Sequence, residues 1–348
     1  MELSNISKYR IDIMCIAAIF ITLCHTSFSF SGFSGFIYNI YVKQFMQSGV
    51  DIFLLVSGLG CYFSFSKTPS VFQFYKKRFT RIIIPYFLFV LFYGIISVLL
   101  LKRDYFIYLY EYSIVSFYIS GYLSSWFVGA IVVIYLLFPL VYKLSKHGSW
   151  LLLLLASMII IIVLIPFWNC LPRNIQVVRE LLLSRLPIFL VGVFIGDSIY
   201  NKKALRIGVM ASLVFLIISI ILFSLNSIFN ESEKVLISRL LFLPISFFGT
   251  LLVSNLFNSV SIEKYRIHKA FILIGGISFE LYLVFERVLF LVPIYIPRPR
   301  VLFDHLGDTE VSVLINVISI LIAFISAYLL SKLSGVIKKR FFITRNRK

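Results

Sequence analysis

The sequence predicts an all-α, polytopic membrane protein with about ten transmembrane helices, on three observations. Apolar residues make up 60% of the 348-residue chain and charged residues only 14%, where a soluble domain carries about a quarter. Mean hydropathy is +0.98. The apolar residues are gathered into stretches of about 20, the length that crosses a hydrocarbon core as a helix. So few charges cannot clothe a globular surface, and so much apolar side chain excludes a disordered chain.

Taken in order, the expected spans are 11–29, 49–66, 82–101, 124–142, 149–168, 181–199, 207–229, 237–257, 270–292 and 311–335. The second is short. The stretch 106–122 is aromatic but carries Glu111 at its centre, which fits an interfacial or re-entrant piece better than an eleventh span. No soluble domain interrupts the series. The longest extramembrane stretches are expected at 30–48, 102–123 and 293–310, so any chemistry falls to helices and short loops.

The net charge of +18 carries a topological signal. With ten spans both termini share a side, and 22 basic residues fall in the loops of that side against 9 in the opposite loops. The positive-inside rule makes the richer side, and both termini, cytoplasmic. An eleventh span would weaken this bias. The chain therefore divides into a single transmembrane domain, 1–335, and a basic cytoplasmic tail, 336–348, that fits anionic lipid rather than nucleic acid. The first span follows Lys8 and Arg10 but ends without a small-residue cleavage pattern, so it is expected to be retained. Cys15, Cys24, Cys61 and Cys170 show no paired spacing, which predicts neither a disulfide framework nor a metal site. Phosphate-binding loops, serine-hydrolase elbows and zinc-protease motifs are absent from the sequence, and no bound cofactor is expected.

Ionisable residues inside spans are costly and mark function by default. With the N-terminus inside, His25, Asp51, Arg185, Glu286 and Arg287 share the outer depth of the membrane. Brought together, His25 and Asp51 could act as a base and its orienting carboxylate, with Arg185 or Arg287 at a developing oxyanion. The plainer alternative is that each satisfies a neighbour or snorkels to the outer interface. At the inner face, Arg78 and Arg81 in the 67–81 loop are one helical turn apart, a spacing suited to phosphate.

Four places carry a resemblance to a known family. They are Asp12 to His25; Gly49-Val50-Asp51-Ile52-Phe53 through Ser57-Gly58; Arg78-Phe79-Thr80-Arg81 with Pro85-Tyr86; and a set comprising Ser125-Trp126-Phe127, Arg185-Leu186-Pro187 with Phe189 and Gly192, and Gly275-Gly276-Ile277-Ser278-Phe279 with Tyr282-Leu283. In this order they resemble the integral-membrane acyltransferase-3 proteins over most of the chain. The resemblance implies transfer of an acyl group, commonly acetyl, from cytoplasmic acyl-CoA to a hydroxyl of a surface or extracytoplasmic glycan. It implies a multi-pass protein of the bacterial inner membrane, working with other polysaccharide-biosynthesis proteins. His25 would act as general base or carry the acyl group, with Asp51 fixing its tautomer inside a sealed protein interior. Arg78 and Arg81 would hold the donor's phosphates, and Arg185, Trp126, Glu286 and Arg287 would serve substrate or oxyanion.

Two positions depart from the family pattern. Met14 stands where the family's first helix carries an arginine ten residues before the histidine, and Phe285 stands where many members carry a histidine. Arg10, one turn below Met14, could reach up by its long stem. The competing reading is a glycan exporter or proton-coupled transporter related to this family without transfer activity. The expectation of unbroken spans speaks against it.

Overall fold

A computed structural model describes residues 1–26, 28, 32–146, 154–159, 171–203, 206–226, 231–295 and 308–343. Among these the architecture is helical, and the only extended pairing is an isolated bridge between Glu2 and Arg206. The helices are α1 (Ser4–Lys8), α2 (Arg10–His25), α3 (Gly32–Ile37), α4 (Gly49–Lys67), α5 (Val71–Leu101), α6 (Tyr105–Glu111), α7 (Ile114–Ser120) and α8 (Trp126–Lys146). They continue as α9 (Arg173–Leu181), α10 (Leu186–Tyr200), α11 (Val209–Leu225), α12 (Glu231–Val260), α13 (Ile267–Gly276), α14 (Ser278–Tyr295) and α15 (Asp308–Ile343).

Among the described residues, five helical stretches are long and apolar enough to cross a membrane: Phe33–Lys67, Val71–Leu101, Trp126–Lys146, Ile237–Val260 and Glu310–Arg340. The fifth expected span, 149–168, lies outside the described residues except for a helical piece at 154–159. Several expected boundaries move. Residues 32–48, expected as a connection, are helical, passing from α3 through π and 3-10 turns to α4. The basic stretch expected as a loop is the start of α5: the Ser70 hydroxyl accepts from the Gln73 N–H and caps a helix of 31 residues. At 1.5 Å per residue that helix is about 46 Å long, more than a hydrocarbon core of about 30 Å, so its charged first turns need not enter the apolar layer.

Residues 106–122 form two helices of 7 residues each, α6 and α7, about 10 Å long, and neither crosses a bilayer. Their caps explain the break. Asp104 accepts from the Phe106 and Ile107 N–H groups, Ser113 accepts from Ser116, and Gly121 ends α7 in the left-handed region. Two other spans are interrupted, contrary to expectation. Residues 270–292 divide at Ile277 between α13 and α14, and α10 follows a 3-10 turn at Leu183–Arg185. The basic tail begins inside α15, which runs on to Ile343.

The chain forms two compact units, each assembled from separated segments. Unit one comprises Met1–Arg10 and Asp51–Ser261; unit two comprises Ile11–Val50 and Ile262–Lys348. In unit one, α4 and α10 pack backbone to backbone. A side chain at Gly58 would strike the Phe189 carbonyl, one at Gly192 the Leu55 carbonyl, and one at Gly196 the Tyr62 side chain. Small residues that let helices approach this closely are the usual adhesive where no hydrophobic force draws helices together in lipid. The amino-terminal strap is fastened to the same unit. Asn5 donates to Asn255 at 2.8 Å and Lys8 to Asn258 at 2.9 Å, both on α12.

Unit two repeats the device. Gly275 on α13 faces the Ile11 carbonyl of α2, and Gly49 faces Ala17 and Phe20. Buried Asp12 pairs with His268 at 3.2 Å, and Glu280 on α14 with Lys338 on α15 at 3.9 Å.

Candidate active site

Among the charged groupings of unit one, two that hold predicted site residues are separated along α4. Toward the amino-terminal end of α4, Asp51 pairs with Arg185 at 3.5 Å, and both side chains are only 2% exposed. The Arg185 guanidinium lies over the Trp126 ring at 5.0 Å and donates to the Leu181 carbonyl at 3.2 Å. Its position follows from local structure: the 3-10 turn Leu183–Arg185 and the proline at the second position of α10 set the backbone, and Gly192 seats α10 against α4. Beside it, Arg239 pairs with Glu180 at 3.1 Å, and the Arg239 and Glu180 charges act on Arg185 as well. Arg179, buried next in sequence, has its guanidinium held below the ordinary range by loss of water, with Glu180 opposing the shift. The structure thus unites three predicted residues, Asp51, Arg185 and Trp126, and adds Glu180 and Arg239.

Arg239 falls inside the expected span 237–257, and it is buried within α12. Its signal was an arginine preceded by Val235-Leu236-Ile237 and followed by Leu240-Leu241-Phe242, a charge inside an apolar run.

Toward the other end of α4 lies a cationic cluster. Arg78 donates to the Gly60 carbonyl and sits over the rings of Phe74 at 5.7 Å and Tyr135 at 5.5 Å. Both Arg78 and Arg10 lie beside Gly60, their guanidinium atoms 3.6 Å from where its Cβ would stand, an ordinary van der Waals distance. Arg81 is exposed and its charge also acts on Arg10. Among the described residues none of these three arginines has a carboxylate within ion-pairing distance. Sequence reasoning found Arg78 and Arg81 by their spacing. It treated Arg10 only as a possible substitute for an arginine at 14, and nothing local in the sequence joins Arg10 to Gly60.

His25 belongs to unit two and ends α2. Its ring is exposed, not sealed as expected. Thr26 fixes the helix end: its hydroxyl donates to the Leu23 carbonyl at 2.6 Å, and its own carbonyl accepts from the Tyr38 hydroxyl. The charges acting on His25 within its unit are Glu286, Lys43 and Arg287. Glu286 and Arg287 lie 3.7 Å apart, and the charges of both act on His25. Phe285, in place of the family's histidine, is buried and offers no proton-transfer group.

The sequence model of the family described as "Acyltransferase domain" matches residues 9–332, nearly the whole chain. The chain belongs to the acyltransferase-3 family. This acyltransferase is therefore a membrane enzyme that transfers acyl groups, and the match takes in every site residue described above. No curated protein and no solved structure matches it.

Proposed function

We propose that this acyltransferase takes an acyl group, acetyl in the simplest case, from cytoplasmic acyl-CoA and delivers it to a hydroxyl of a surface or extracytoplasmic glycan at a bacterial inner membrane. The observation that carries the reading is the cluster of Arg10, Arg78 and Arg81. Guanidiniums gathered without a carboxylate repel one another, and an anionic ligand relieves the repulsion. Arginine forks suit phosphate, and coenzyme A presents several phosphate groups.

On this reading His25 is the general base. The glycan hydroxyl attacks the thioester carbonyl as the imidazole takes its proton; the carbon–sulfur bond then breaks, and the imidazolium returns the proton to the departing sulfur. Glu286 and Arg287, whose charges act on His25, are assigned to the acceptor, and within unit one Arg185, fixed by Asp51 and Trp126, is assigned to substrate. Exposure of the His25 ring suits a base that must meet an acceptor arriving from outside the protein.

Two measurements test the reading. Purified protein carrying Arg78→Ala with Arg81→Ala should lose acyl-CoA affinity while retaining its fold; unaltered affinity would overturn the donor assignment. Cells carrying His25→Ala should still display the polymer but without its esters. Unchanged ester content with lost polymer would instead identify an exporter.

A further inference from the structure

His25 is the last residue of α2, and its imidazole, exposed, makes no hydrogen bond among the described residues. Where the ring points is therefore set by the backbone that carries it. The last carbonyls of a helix have no partner within it, so the residue that follows His25 has to be held from elsewhere. Thr26 is held on both sides of its peptide. Its N–H and its hydroxyl donate to the Leu23 carbonyl, at 3.2 and 2.6 Å, and its own carbonyl accepts from the Tyr38 hydroxyl. The same Tyr38 oxygen accepts from the Phe28 N–H at 3.3 Å, so one buried phenol clasps the chain at 26 and at 28.

Tyr38 owes its own place to an unusual turn. It opens the π-helix Tyr38–Gln44, in which hydrogen bonds close five residues back. An α-helix would set residues 38 and 43 about 140° apart round its axis, whereas the wider turn brings them to one side. The Lys43 ammonium accordingly lies over the Tyr38 ring at 5.7 Å, and the Phe28 ring meets it edge-on at 5.5 Å. All of these residues belong to unit two, as His25 does. The phenol is thus fixed by its ring, which leaves its hydroxyl a firm support for the peptide beyond His25.

We propose that Tyr38 is a positioning residue for His25: its hydroxyl fixes the Thr26 carbonyl and, through that peptide, the direction in which the imidazole meets the acceptor hydroxyl. The proposal rests on the reading of His25 as general base and deepens it. Tyr38 touches no substrate.

The experiment uses Tyr38→Phe in the full chain, which removes the hydroxyl and keeps the ring with its Lys43 and Phe28 contacts. Three quantities are measured: acetyl-CoA affinity of the purified protein, the rate at which diethyl pyrocarbonate modifies the peptide carrying His25, and polymer ester content in cells per folded chain. Affinity should be unaltered, the His25 modification rate should change by about 3-fold or more, and ester content should fall by about 10-fold, because small misplacements of a catalytic group cost rate steeply. Incorporating para-aminophenylalanine at position 38 restores a donor at the same place and should recover both the modification rate and the ester content. Parental His25 reactivity and ester content in Tyr38→Phe would overturn the proposal. Failure of Tyr38→Phe to fold, or no recovery with the amino analogue, would make the hydroxyl a structural fastening only and overturn it as well. Parental ester content in His25→Ala would remove the base itself, a separate outcome.

Discussion

Removing Asp51 while leaving Arg185 in place tests the buried charge network most directly. At 3.5 Å and an effective dielectric constant of about 20, the attraction between the two charges is about 5 kcal/mol. Arg185 is 2% exposed, so when its partner is removed it can neither reach water nor readily give up its proton. Glu180 offers partial compensation, since its charge also acts on Arg185. Asp51→Ala should therefore destabilise the protein by about 3 kcal/mol, at the low end of the range for breaking a buried pair. Adding Arg185→Met removes the stranded charge and should recover most of that loss. The assay is unfolding of detergent-purified protein, with Asp51→Ala, Arg185→Met and the double variant forming a mutant cycle. An Asp51→Ala protein within about 0.5 kcal/mol of the parent would refute the argument, as would a double variant no more stable than Asp51→Ala. Whatever its stability, the double variant should lose transfer activity if Arg185 serves the substrate.

Other outcomes follow from packing and charge. Gly192→Ala drives a methyl group into the Leu55 carbonyl and should cost about 2 kcal/mol or prevent folding, whereas Gly335→Ala meets nothing within 4 Å and should be neutral or add up to about 1 kcal/mol through helix propensity. Unfolding measurements on the two variants check both, and equal effects would refute the close α4–α10 contact. Arg10→Ala should lower acyl-CoA affinity about as much as Arg78→Ala, with a shallower dependence on ionic strength than the parent. Binding titrations at low and high salt check this, and parental affinity would exclude Arg10 from the dock.

Hydropathy made the helices legible because an apolar stretch in lipid has few alternatives to helix. Their ends were read less well. Lys76, Lys77, Arg78 and Arg81 suggested a loop by charge, although Ser70 ahead of an apolar residue was an N-cap signal in plain sequence. The same holds for Asp104 and Ser113, whose caps divide α6 from α7. Site residues were legible when their signal was local: Arg78 and Arg81 by spacing, Asp51 and Arg185 by charge within apolar surroundings. Glu180 and Arg239 are 59 residues apart, and nothing in a helical period encodes a partner at that distance. Arg10 and Arg78 both come up beside Gly60 from segments distant in sequence, a convergence that composition cannot express.

The interleaving of the two units constrains biogenesis. Residues 11–50 leave the ribosome early, yet the segments that complete their unit begin only at Ile262. During synthesis α2 must wait at the translocon or in lipid, with Asp12 lacking its His268 partner, until the last helices are inserted. Truncation anywhere between 51 and 261 therefore leaves unit two without α13, α14 and α15, so C-terminal deletions should provoke quality-control degradation even when every candidate catalytic residue up to Arg239 is retained.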